Sequence, residues 1–416
     1  MNAEQKTRLA SLGRHSYVSQ AGLANVLKDL RDAGSLPAAC SRQSIKRARQ
    51  EQVRIHTPYG QLMRSMRIPL IGPAEDRDFE YIHPAAMLSH AAQSCAGFGT
   101  FLQKQLAAHA SDLTTPWSII LYSDEVSPGN QLKHDNKRKL QTVYWSFREF
   151  DAGLCSEALW FVLTAVRSST VVRMGGMSVL FKHMLLPFYD DHDFRFGVTV
   201  RVHDRTHMIF ASLGIVVSDE AALKSTWEMK GASGTLICMA CRNVVSVSSD
   251  LHNTDATGFF VPSSETDVSK FVLQTDDSVR RTLQLLKQQH PLVSASAFKK
   301  LEQSLGFNYR PNGLLHSEKF ASVLQPVTMT MYDWMHCYVV SGEYNMEVGL
   351  LLGFLATIGI GYKDVHLFFQ EFTWPLHLGS RGASGKTVFE KRSALSDVLK
   401  CSASEALSMY GVLRLF

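Results

Sequence analysis

An apolar run over residues 213–217 stops on two carboxylates, Asp219 and Glu220, and this feature most restricts what the chain can fold into. The run is short and rich in Ile and Val, so it suits a buried strand better than a helix surface. Acids at the end of such a strand lie where α/β sheets present their ligand-binding edge. A helix-like segment, a Gly-rich turn over residues 230–235 and a Cys-x-x-Cys pair, Cys238 and Cys241, follow. Two metal-ligand chemistries, hard oxygen and soft thiolate, therefore share about thirty residues.

The flanking chain supplies further strands. Residues 117–125, 140–150 and 158–167 are β-rich, residues 176–188 suit a helix, and residues 196–204 lead through more β character into the 213–217 run. This order predicts a mixed α/β fold. Ahead of it, residues 1–110 form a helical, basic region. Leu23, Val26, Leu27 and Leu30 recur at helical spacing before Gly34, Arg42, Lys46, Arg47, Arg49 and Arg54 cluster, and residues 84–108 suit one helix. The basic cluster fits either a DNA-backbone contact or a solvated helix face. Beyond the thiols, residues 236–395 are mainly helical or irregular, with amphipathic segments at 278–289 and 295–305, and residues 396–416 form a last helix. That helix carries no stop signal, which suggests that the sequence breaks off inside an element.

At 416 residues the chain has room for two or three domains, and a net charge of +5 permits a polyanionic partner without requiring one. Seven mostly isolated cysteines do not make a disulfide framework and suit a reducing compartment. The N-terminus lacks the apolar core of a signal peptide. The longest apolar run, residues 348–361, is shorter than the roughly 20 residues that span a bilayer, and reads as a buried helix.

Asp124 and Asp219 each end an apolar strand. On neighbouring parallel strands, two such acids can share a pair of Mg²⁺ or Mn²⁺ ions, activate a hydroxyl and stabilise the leaving oxygen of a phosphodiester. Glu405, in the last helix with Leu399, Ala403, Ala406 and Met409 as expected buried neighbours, is the candidate third acid; Glu343, Glu347 and Glu371 compete with it. Ordinary turn acids have the same appearance. Strand alternation makes Glu125 and Glu220 adjacent spares that face away. Cys238 and Cys241 lack a second pair nearby, but Asp333 and His336 lie one helical turn apart downstream and complete an acceptable Zn²⁺ set. A buried thiol pair and a helix-start Asp are the plain alternative. Residues 379–387 approach a phosphate-loop pattern, but Ser380 stands where its first Gly is needed.

The order of these features resembles the CACTA-like group of DDE transposases, with its Plavaka and Kyakuja–Dileera–Zisupton relatives. The resemblance covers about residues 115–416. It rests on YSDEVSPGN around Asp124, LGIVVSDEAALKS around Asp219, GTLICMACRNV with its thiol pair, YDWMHCYVVSGEYN with Asp333 and His336, and KCSASEALSMYGVLRLF around Glu405. It implies an RNase H-like core over residues 111–235, interrupted by a large helical insertion over 236–395 and closed by 396–416. It also implies metal-dependent DNA strand cleavage and strand transfer in the nucleus. Asp124, Asp219 and Glu405 would hold two Mg²⁺ ions, and Cys238, Cys241, Asp333 and His336 a structural Zn²⁺. The expected partners are the double-stranded DNA of element ends and target, with a homo-oligomer allowed and no membrane. The competing expectation is a catalytically inactive, domesticated relative that binds DNA or protein.

Overall fold

The structure, a computed structural model, describes residues 20–32, 41–72, 77–127, 138–190, 192–339, 342–374, 388–389, 399 and 401–416. It divides into two compact units: Met1–Ile215 with Tyr309–Leu324, and Val216–Asn308 with Gln325–Phe416. The chain is mixed α/β, with a five-stranded mixed sheet.

The first unit begins with α1 (Gln20–Asp32) and α2 (Arg42–Gln52), where Leu23 and Leu27 bury against Ile45 and Ala48. Half of the expected stripe is realised, since Val26 and Leu30 are exposed. Ser41 caps α2, its Oγ accepting from Ser44 N at 3.1 Å. Strands β1 (His56–Thr57) and β2 (Gly60–Gln61) make a small hairpin, and β3 (Met63–Ile68) pairs antiparallel with β4 (Arg77–Ile82). The single helix expected over 84–108 is two, α3 (Pro84–Ser94) and α4 (Ala96–Ala108), broken at Cys95 in extended conformation. The turn is tight on its far side, where a Cβ on Gly99 would lie 3.0 Å from the Ala92 carbonyl oxygen.

Strands β5 (Trp117–Val126), β6 (Leu140–Phe147) and β7 (Phe161–Arg167) form an antiparallel meander. The third begins later than the sequence suggested because 157–159 make a single 3-10 turn. Helices α5 (Ser168–Met174) and α6 (Met177–Tyr189) follow, joined through Gly175 and Gly176, both at positive φ. The β-rich run before Asp219 resolves into β9 (Arg205–Ile209), paired with β8 (Val198–Val202), and β10 (Ala211–Ser218). The core is aromatic. Trp145, fully buried, has the rings of Phe147, Phe161 and Phe188 at 5.4, 4.9 and 5.3 Å. Such ring pairs contribute roughly 0.5–1.5 kcal/mol each beyond burial. Residues 309–324 are tied into this unit. Arg310 Nη1 donates to Gly175 O at 2.7 Å, Leu314 N donates to Ser178 Oγ at 2.8 Å, and buried Phe320 meets Tyr189 edge-on.

The second unit opens with α7 (Glu220–Thr226) and continues through irregular chain carrying β11 (Val244–Val245), α8 (Leu251–Thr254) and β12 (Val261–Pro262). Helices α9 (Asp276–Gln289) and α10 (Ala295–Leu305) match the two amphipathic segments; a Thr275–Ser278 capping box starts the first and left-handed Gly306 stops the second. Then come β13 (Thr330–Tyr332), a π turn at Met335–Val339, α11 (Glu343–Thr357), α12 (Tyr362–Glu371) and α13 (Ala403–Leu413). The helix expected to be buried over 348–361 is buried on one side only. Tyr344, Val348 and Leu352 pack with Val365, Phe369 and Met409, while Leu350, Leu351, Phe354 and Ile358 are exposed. The cluster formed with α12 and α13 takes up one face of α11. Among the described residues no single helix is long and apolar enough to cross a membrane.

The five-stranded sheet runs β13-β10-β5-β6-β7. Strands β10 and β13 are parallel, with Val216, Val217 and Ser218 opposite Thr330, Met331 and Tyr332.

Candidate carboxylate and thiol sites

Asp124 lies within β5, two residues before its end, and is exposed. Its cross-strand partner Thr142 donates from Oγ1 to the Asp124 backbone oxygen at 2.9 Å. Glu125 is fully engaged elsewhere. It binds Lys139, receives Ser168 Oγ at 2.9 Å and Gln141 Nε2 at 3.2 Å. Burial raises the Glu125 carboxyl, but these hydrogen bonds and the Lys139 charge outweigh it and hold the group below its ordinary value. Glu125 is therefore a structural acid.

Asp219 follows β10 directly and is the N-cap of α7, its Oδ1 accepting from Ala222 N at 2.6 Å. The cap uses one carboxylate oxygen. Glu220 is the first residue of the helix and pairs with Lys224 at 2.5 Å, so strand alternation does not govern where it points. The parallel register of β10 and β13 sets Asp219 and Asp333 at equivalent places, each one residue past the paired Ser218 and Tyr332. Asp333 N donates to Ser218 O at 2.9 Å, which fixes that edge. Sequence spacing assigned these two acids to different sites; the register makes them neighbours.

Glu405 is half-buried near the start of α13, where it completes a capping box. Ser402 N and Oγ donate to its Oε2 at 2.7 and 2.9 Å. Leu399, Ala406 and Met409 are buried and Ala403 is partly buried, as the sequence indicated. Glu343 begins α11, Glu347 lies within it and Glu371 ends α12.

Cys238 and Cys241 are half-buried in the irregular chain after α7. Burial, then the neighbouring thiol, pushes Cys241 up to about 11. The loop is held by Asn243, which is fully buried. Its Nδ2 donates to Phe259 O and Lys270 O, both at 2.8 Å, and its Oδ1 accepts from Val272 N at 2.9 Å. Downstream, Asp333 Oδ2 and His336 Nδ1 are 2.7 Å apart. That contact makes Asp333 an orienting partner, with His336 Nε2 as the nitrogen for a ligand. Burial raises Tyr332 to about 12, and Cys238, Glu220, Cys337 and Cys241 are close enough to add to the shift. The two motifs thus come within electrostatic reach of one tyrosine. Among the described residues no group of three or more His, Cys, Asp or Glu is placed to hold a metal ion. The phosphate-loop-like residues 379–387 lie outside the described residues.

No motif marks a cavity of about 510 Å³ in the first unit, lined in part by Arg64, Arg67, Tyr81 and His83.

No family model matches the chain, and no curated protein matches it.

Proposed function

We propose that the chain is a DDE-type polynucleotidyl transferase, or a protein derived from one, with an RNase H-like sheet and a large insertion. The observation that carries this reading is the strand order. An RNase H-like sheet has an antiparallel meander whose first strand also neighbours the fourth, with the fifth parallel beside the fourth. The order β13-β10-β5-β6-β7, with β10 and β13 parallel, follows that plan. Support also comes from an acid on the first of these strands, Asp124, and one directly after the fourth, Asp219.

In this reading Asp124, Asp219 and Glu405 hold two Mg²⁺ or Mn²⁺ ions. The donor set fits in kind, since all three offer hard carboxylate oxygen and the caps at Asp219 and Glu405 each engage one oxygen. The metals would supply charge stabilisation at a phosphodiester and a more acidic water or 3′-hydroxyl. The chain's own part is to fix carboxylates through helix caps, so that little reorganisation is needed. Cys238, Cys241 and His336 fit a structural Zn²⁺ by donor chemistry, with Asp333 orienting the imidazole. The exposed Arg42, Lys46, Arg47 and Arg54 favour a DNA backbone as partner, and a DNA substrate implies the nucleus.

A second reading is an inactive relative that binds DNA or protein. It is favoured by the capping roles of Asp219 and Glu405, which account for both acids without catalysis. Asp219→Asn separates the two, because Asn caps a helix as well as Asp but is a far poorer metal ligand. The active reading expects Mg²⁺-dependent nicking of supercoiled plasmid by the native chain, reduced at least about a hundredfold in the variant. Equal nicking by both removes it. Zinc measured on the purified chain should fall from about one equivalent to near none in Cys238→Ser.

A further inference from the structure

The cavity of about 510 Å³ in the first unit lies within the size range of small-molecule sites. Its walls come from β3, β4, the start of α3, the end of α6 and Lys319 of the 309–324 segment. Three cationic side chains, Arg64, Arg67 and Lys319, face one carboxylate, Asp190, and that carboxylate pairs with Lys319 at the rim. Arg64 is held in place, with Nη2 donating to Tyr59 O and Nε to Gln61 O at 3.4 Å.

His83 supplies the decisive observation. It is 2% exposed and caps α3, its Nδ1 accepting from Ala86 N at 3.4 Å. Nδ1 therefore carries no proton, and the neutral ring bears its proton on Nε2. The ring lines the cavity, so this N–H is a donor available to a ligand oxygen there. His183 is complementary. Its Nδ1 meets the Val179 carbonyl oxygen at 2.8 Å and must donate to it, which leaves Nε2 as an acceptor for a hydroxyl. Tyr81, Tyr189 and Met66 add flat and polarisable surface.

We infer that this cavity binds the phosphate monoester of a ring-bearing, hydroxylated small molecule, represented by a nucleoside monophosphate. The Arg64 guanidinium and His83 Nε2–H receive phosphate oxygens. His183 accepts from a ligand hydroxyl, and the tyrosines flank the ring. Two sources share this chemistry, a free nucleotide and the 5′-phosphorylated end of a nucleic acid strand. The inference does not depend on metal-assisted strand cleavage, so it is tested in EDTA.

The experiment is calorimetric titration of the full chain with AMP, adenosine, and a tetranucleotide with and without its 5′-phosphate. Saturable binding of AMP, at least about tenfold tighter than adenosine, is expected from one charge-assisted contact. Preference for the phosphorylated over the hydroxyl tetranucleotide extends the site to strand ends; AMP binding without that preference restricts it to free nucleotides. Arg64→Gln, which removes charge, and Met66→Trp, which fills the cavity and leaves its charge, should each weaken AMP at least about tenfold. If Arg64→Gln does not fold, Met66→Trp decides alone. Equal affinity for AMP and adenosine overturns the inference. So does AMP binding unchanged in Met66→Trp, or no saturable binding of either phosphomonoester.

Discussion

The meander of the first unit and the thiol-bearing loop of the second are stabilised by opposite means. Around Trp145 the chain buries rings against rings, and the backbone groups are satisfied by a regular ladder. Around Cys238 and Cys241 there is little ladder to speak of, and one buried amide, Asn243, ties three separate backbone positions together. The first arrangement spreads its stability over many weak contacts. The second concentrates it in a few directional ones, so a single substitution there should act locally and sharply.

Trp145→Ala should cause the largest loss of stability, about 3–5 kcal/mol, with a lower denaturant midpoint for the first unit. A loss under about 1 kcal/mol would mean that the ring cluster is not the scaffold described. Asn243→Ala comes next, at about 3 kcal/mol, because two carbonyls and one N–H lose their partner in a buried place. Hydrogen exchange should speed up at Val272, with the Trp145 environment unchanged in tryptophan fluorescence. Uniform loss across the molecule would erase the contrast.

Acid acts on the first unit through a buried histidine. Burial, with Arg64 and His192 beside it, depresses His83 to about 3 from an ordinary value of 6.5. The unfolded chain therefore takes up a proton that the folded chain refuses, and stability falls as pH drops from about 6.5 towards 3. Burial likewise lowers His183, so it adds to the same limb. His83→Gln should flatten the acid decline of the melting temperature, and an unaltered decline would show that His83 is not responsible. The smallest effect is at Asp219. Asp219→Asn should leave stability within about 0.5 kcal/mol while Asp219→Ala costs about 1 kcal/mol. If both cost the same, the side chain contributes charge and not a cap.

This contrast also explains what could be read from the residues alone. The runs that became β5, β6 and β10 were legible because burial on a sheet selects β-branched and aromatic residues over several consecutive positions. Helices α9 and α10 were legible from their spacing. The kink at Cys95 was not, since neither Pro nor a Gly stands at the break itself. At the sites, Asp219 and Asp333 were each recognisable, but their adjacency comes from a strand register 114 residues apart in sequence. The cavity was invisible for the same reason. Arg64, His83, His183 and Lys319 carry no motif, and their relation exists only once β3, α3, α6 and the 309–324 segment have met.

The membership of residues 309–324 in the first unit has a consequence for synthesis. A chain emerging from the ribosome has made β5 to β9 and the ring cluster long before it makes Phe320. Until about residue 324 is free, Tyr189 lacks its edge-on partner and Ser178 Oγ has not yet received Leu314 N. The first unit is thus begun early and finished late. A fragment ending anywhere between residues 215 and 308 should translate readily yet expose apolar surface at α6, which makes such fragments the natural clients of chaperones and the natural targets of degradation.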